Sequence, residues 1–126
     1  MEMKKVSTEK APAAIGPYSQ AIIFGDMVFT SGQIPINPAS GNIEAEGIEA
    51  QAEQVMQNLG EVLKAAGSDF TKAIKTTCFL ANMEDFAAFN AVYAKYFTTK
   101  PARSCVAVKT LPKNALVEVE VIASLG

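Results

Sequence analysis

The chain has 126 residues, two cysteines, no histidine and a net charge of −2, with 49% apolar and 19% charged residues. That length fits one domain that buries a core without staples, and no apolar run approaches a membrane span. The absence of histidine excludes Ser-His-Asp and Cys-His catalysis and His-ligated zinc, and the acidic balance lacks the footprint of a nucleic-acid binder.

The first residues, Met1-Glu2-Met3-Lys4-Lys5-Val6, lack the apolar centre of a signal peptide, so the expectation is a soluble cytoplasmic protein with Cys78 and Cys105 as free thiols. Neither cysteine has CxxC or zinc spacing. No P-loop or GxGxxG is present, so no nucleotide fingerprint exists.

Ala21 to Phe24 and Met27 to Thr30 read as two strands joined by the turn Gly25-Asp26, since a primed hairpin turn needs the positive φ that glycine tolerates. Gly32 and Pro35 end the second strand, and Asn37 to Asn42 is a loop. From about Ala45 to Ala66 the apolar residues Ile48, Val55, Met56, Leu59, Val62 and Leu63 recur at helical spacing, with Gly67 as the stop. Ala73 to Leu80 is rich in β-branched residues and reads as a strand with Ile74, Cys78 and Leu80 on one core face. A second helix is then expected, capped by Asn82 with Asp85 in its first turn, burying Phe86, Phe89, Tyr93 and Phe97. Two strands, Arg103 to Val108 and Leu116 to Ala123, complete the chain around the loop Leu111 to Asn114.

The order hairpin, helix, strand, helix, strand, strand predicts a single α/β (α+β) domain, a mixed sheet with both helices on one face. Ile22, Phe24 and Val28 alternate with Ile23, Met27 and Phe29, so both strand faces are apolar. The uncovered face must meet something, which points to an oligomer.

Arg103 is the only arginine, against ten lysines. A guanidinium beside an apolar strand suits a site that needs its planar fork to grip a carboxylate; the alternative is a structural salt bridge to Glu118 or Glu120. By strand alternation Arg103 and Cys105 share one wall. Glu118 and Glu120 face away from Val117, Val119 and Val121, and solvent exposure is the default for both. Asn90 lies four residues after Phe86 inside the apolar stripe, so its amide either bridges structure or lines a pocket. Cys105 has no partner to activate it as a nucleophile, and its expected part is to shape a small pocket.

Four segments occur in order: Ala11-Pro12-Ala13-Ala14-Ile15-Gly16-Pro17-Tyr18-Ser19-Gln20, Thr30-Ser31-Gly32-Gln33-Ile34-Pro35, Phe86-Ala87-Ala88-Phe89-Asn90 and Pro101-Ala102-Arg103-Ser104-Cys105-Val106, followed by Val117-Glu118-Val119. Together they resemble the reactive intermediate deaminase A family, the YjgF-type enamine/imine deaminases, over essentially the whole chain. Two small departures are Val119 and Ala107, where members often have Ile or Met and a glutamate. The resemblance implies a trimeric, chorismate-mutase-like fold with clefts between subunits. It implies hydrolysis of 2-aminoacrylate, 2-aminocrotonate and their imines to 2-oxo acids and ammonia, with no metal or organic cofactor.

In that reading Arg103 and Glu118 are catalytic, the first holding the substrate carboxylate and the second positioning or activating water. Tyr18, Ser31, Gly32, Asn90, Cys105 and Arg103 bind substrate. No nucleic acid or membrane partner is expected. Two other functions compete, a non-catalytic trimer that binds a carboxylate metabolite and regulates a partner, and an endoribonuclease or translation inhibitor.

Overall fold

The computed structural model describes residues 2–126. Six strands form one sheet: β1 (Met3–Val6), β2 (Ala21–Phe24), β3 (Met27–Thr30), β4 (Ala73–Leu80), β5 (Ala102–Ala107) and β6 (Val117–Ser124). Two helices, α1 (Gly47–Ala66) and α2 (Phe86–Tyr96), accompany them. The spatial order is β1-β2-β3-β6-β4-β5. Only β4 and β5 are parallel, because α2 carries the chain back between them; the other pairings are antiparallel.

Both helices lie on one face, as the apolar periodicities require. Val28, Cys78, Leu80, Val117, Val119, Val121 and Ala123 of the sheet form one buried cluster with Val55, Met56, Leu59, Val62 and Leu63 of α1 and Phe89, Val92 and Tyr93 of α2. Leu59 is fully buried; its truncation to alanine would cost about 2–5 kcal/mol.

Among the described residues, no helix covers the other face. Register places Ile22, Phe29 and Ile122 in one cross-strand row, and Glu118, Phe79 and Val106 in another. Phe24, Phe29 and Val106 remain 44%, 39% and 47% exposed.

The structure departs from the sequence expectations at several points. β1 was not anticipated: it pairs with β2 from Met3↔Phe24 to Val6↔Ala21, but three of its four residues are exposed, so it shows no apolar alternation. Helix α1 begins at Gly47, two residues after Ala45. Asn82 caps not α2 but a single 3-10 turn, Met83–Asp85, where its side chain accepts the Glu84 N–H. Ile74 does not share the face of Cys78 and Leu80: a register shift between Ala73 and Lys75 against β6 makes it an extra residue, and it is 45% exposed.

Candidate functional site

Glu118 comes from β6, on the helix-free side between the buried Val117 and Val119. Its carboxylate lies over Gly32, just beyond β3. A Cβ at residue 32 would come within 2.8 Å of Glu118 Cδ and Oε2, so only glycine allows the acid to settle there. Burial, then the charge of Glu120, holds the Glu118 carboxyl above the usual carboxylate range. Tyr18, Ser31, Gly32, Gln33, Pro112 and Glu118 line a cavity of about 380 Å³.

The loop that brings Tyr18 to this cavity is tied down by Gln20, which is buried. Gln20 Oε1 accepts the Thr8 N–H at 2.7 Å, while Nε2 donates to the carbonyls of Pro12 at 2.7 Å and Thr8 at 3.1 Å. Ser31 is tied to the same loop: its hydroxyl donates to the Ser19 carbonyl at 2.6 Å, and its N–H to that of Gln20 at 2.9 Å. With that proton engaged, the Ser31 hydroxyl meets a ligand as an acceptor. Tyr18 itself is 54% exposed, with its ring free to meet a ligand.

Arg103 occupies a different place. It stands on β5 opposite Thr76 of β4, on the helix side. Its Nη1 donates to Asn90 Oδ1 at 2.7 Å, and its Cζ lies 4.7 Å from the Tyr93 ring centroid and 5.4 Å from that of Phe86. The alternative of a salt bridge to Glu118 or Glu120 is overturned: among the described residues the one ion pair joins Lys95 to Glu53. Asn90, Tyr93, Phe97, Lys100, Pro101 and Arg103 line a second cavity of about 300 Å³, which contains no carboxylate.

Cys105 shares the Arg103 side of β5 and is the register partner of Cys78. Burial raises both thiols, Cys78 to about 12, so neither is a ready thiolate at neutral pH.

Within the chain these groups form two separate clusters rather than one. Arg103 aligns with Thr76 and Val121, whereas Glu118 aligns with Phe79 and Val106, three positions along and two strands across. Strand geometry puts their Cα atoms roughly 14 Å apart, with side chains on opposite faces. Tyr18, Ser31, Gly32 and Glu118 come together; Asn90, Arg103 and Cys105 come together; the two sets do not meet.

Sequence reasoning passed over the amides that hold the Glu118 half in shape. Asn58 of α1 is buried and its Nδ2 donates to the carbonyls of Ile34 and Ile36 at 3.2 and 3.0 Å. Gln33 exchanges backbone hydrogen bonds with Val119 at 2.9 and 3.2 Å. Asn58 was detectable, because it interrupts an apolar stripe between Val55 and Leu59 as Asn90 does on α2.

The sequence profile of the family described as Endoribonuclease L-PSP matches residues 8–125. A Lactococcus lactis protein that carries the name of a regulator, AldR, is 56% identical over 98% of this chain and 98% of its own. The 2-iminobutanoate/2-iminopropanoate deaminase of Capra hircus is 49% identical over 96% of this chain and 89% of its own. Among solved structures, TdcF of E. coli with bound serine superposes with a TM-score of 0.91 at 43% identity, covering 96% of this chain and 98% of that one.

Proposed function

The chain belongs to the Endoribonuclease L-PSP family, and from that premise we propose that it hydrolyses reactive 2-imino acids, formed from 2-enamino acids such as 2-aminoacrylate and 2-aminocrotonate, to 2-oxo acids and ammonia. Relatives at 46–52% identity bear the names of reactive intermediate and iminobutanoate deaminases. The observation that carries the reading is Arg103, held flat by Asn90 and two aromatic rings with no acid beside it. One of its five N–H groups is used on Nη1, which leaves the Nε–Nη2 edge whole for a carboxylate.

The chemistry asks little of the protein. Water adds to the imine carbon, a proton reaches nitrogen, the carbinolamine collapses, and the C–N bond breaks to give C=O and ammonia. Arg103 fixes the carboxylate so that the imine carbon stands still. Glu118, raised above the usual range, is placed to accept the water proton or to orient the water. Tyr18 and Ser31 shape the chamber around the imine nitrogen.

Since Arg103 and Glu118 lie on opposite faces of one subunit, the reading needs a second copy. We propose a homotrimer in which the helix-free faces pack together and each chamber joins the Glu118 half of one subunit to the Arg103 half of its neighbour. The exposed Phe24, Phe29 and Val106 support this packing.

A coupled assay tests the proposal. A dehydratase generates imine from serine or threonine while semicarbazide competes for it, and purified protein should divert the flux to 2-oxo acid. The name AldR favours a second reading, a regulator that senses a carboxylate through Arg103. It would bind the metabolite without speeding hydrolysis. Absence of RNA cleavage by nuclease-free protein would separate both from the activity in the family's description.

A further inference from the structure

Phe86, Asn90 and Tyr93 lie at i, i+4 and i+7 on α2, so they form one stripe, and all three touch the Arg103 guanidinium. The Tyr93 ring is nearest, at 4.7 Å. Tyr93 is also anchored from below: its hydroxyl is hydrogen-bonded at 2.7 Å to the hydroxyl of Thr76, which is fully buried. Thr76 is in turn the β4 register partner of Arg103. The cradle therefore closes on itself, from Arg103 to ring, ring to hydroxyl, hydroxyl to Thr76, and Thr76 across the ladder to Arg103.

We propose that Tyr93 is a positioning residue, whose ring, fixed by Thr76, sets the plane of the Arg103 guanidinium while Asn90 sets its rotation. The inference rests on the reading of Arg103 as a carboxylate clamp. An arginine usually has its angle set by an acid, which would neutralise the charge and occupy the fork. Here a neutral amide and a π face do that work, so the charge and the Nε–Nη2 edge stay available to a ligand. Tyr93 never needs to touch the substrate.

The test compares the parent with Tyr93→Leu, Tyr93→Phe and Thr76→Val, reading kcat and KM for imine hydrolysis and the Kd of 2-oxobutanoate by calorimetry. Tyr93→Leu should raise KM and Kd about tenfold, the scale of a partly desolvated cation–π contact, and leave kcat within about twofold. Tyr93→Phe and Thr76→Val keep the shape of the core, release the ring tilt and leave the partner hydroxyl without its bond; each should raise KM about threefold. In an Arg103→Lys background, Tyr93→Leu should add less than about twofold, because its effect passes through the guanidinium.

An equal effect in both backgrounds, or a parent-like KM in all three variants, would overturn the proposal. If Tyr93→Leu fails to fold, the two conservative variants decide: parent-like KM in both overturns it. A parent that binds 2-oxobutanoate but hydrolyses no imine would defeat the deaminase reading, while the Kd series still judges the cradle.

Discussion

At the scale of single residues, Arg103 and Glu118 make opposite demands on their surroundings. Arg103 must keep its charge and its shape. Lysine at 103 would keep the charge, but an ammonium offers no fork to a carboxylate and no flat face to Tyr93. Arg103→Lys should therefore lower kcat/KM for imine hydrolysis by about a hundredfold, near 2.7 kcal/mol of transition-state stabilisation. Parent-like turnover in a folded Arg103→Lys protein would remove the clamp from the mechanism.

Glu118 makes a prediction about stability as well. Burial raises its folded value above the ordinary 4.5, so the folded chain binds that proton more tightly than the unfolded chain. The stability this linkage brings is complete below the unfolded value and is lost as pH rises through the folded one. At neutral pH the half-buried carboxylate is thus a burden that glutamine does not carry. Glu118→Gln should melt at a higher temperature than the parent at pH 7, and the gap should close towards pH 4. Calorimetry at the two pH values checks this; a gap of the same size at both would mean that the buried charge is not its origin.

At the scale of elements, the site depends on a contact between a strand and the end of another. Gly32 follows β3 and Glu118 belongs to β6, and the acid occupies the space where a side chain at 32 would begin. The atoms in the way are the far end of a flexible side chain rather than backbone. Gly32→Ala should therefore fold normally, with a thermal midpoint within a few degrees of the parent, yet lose about tenfold or more in kcat as the carboxylate is pushed aside. A fall in stability with kcat intact would place the glycine's importance in the fold rather than in the chamber.

The elements also show what a sequence can and cannot disclose. The bounds of the hairpin were legible to the residue, because Gly25-Asp26 between two apolar runs admits few other conformations, but its pairing puts Met27 and Phe29, not Val28, on the face of Ile22 and Phe24. Helix α1 was legible from its apolar stripe, and the buried face of β6 from alternating valines. β1 was hidden because its order comes from pairing with β2 and not from any apolar pattern of its own. The bulge at Ile74 was hidden for a similar reason: a register shift depends on the partner strand. The split of the site had the same origin, since strand alternation says which residues share a face, but not that β4 lies between β5 and β6. With that order and the register of both pairings known, the opposite faces of Arg103 and Glu118 follow directly.

At the scale of the whole molecule, the chain holds two separate cavities and one helix-free sheet face with exposed apolar residues, and the proposed trimer would explain both at once. Packing three helix-free faces together removes Phe24, Phe29 and Val106 from water, and it gives each Glu118 a second chain as neighbour. The direct test uses two defective subunits, Arg103→Lys and Glu118→Ala, each expected to fall about a hundredfold alone, the second because it removes base and water acceptor together, and each carrying a different affinity tag. After joint unfolding and refolding, assemblies that retain both tags are isolated and assayed. In a cyclic trimer of mixed composition, one chamber combines an intact Glu118 with an intact Arg103 from its neighbour, so imine hydrolysis should return to about a third of the parent rate per assembly. If doubly tagged assemblies form and remain as inactive as either variant alone, the two halves do not meet across subunits, and the account of a shared site is wrong.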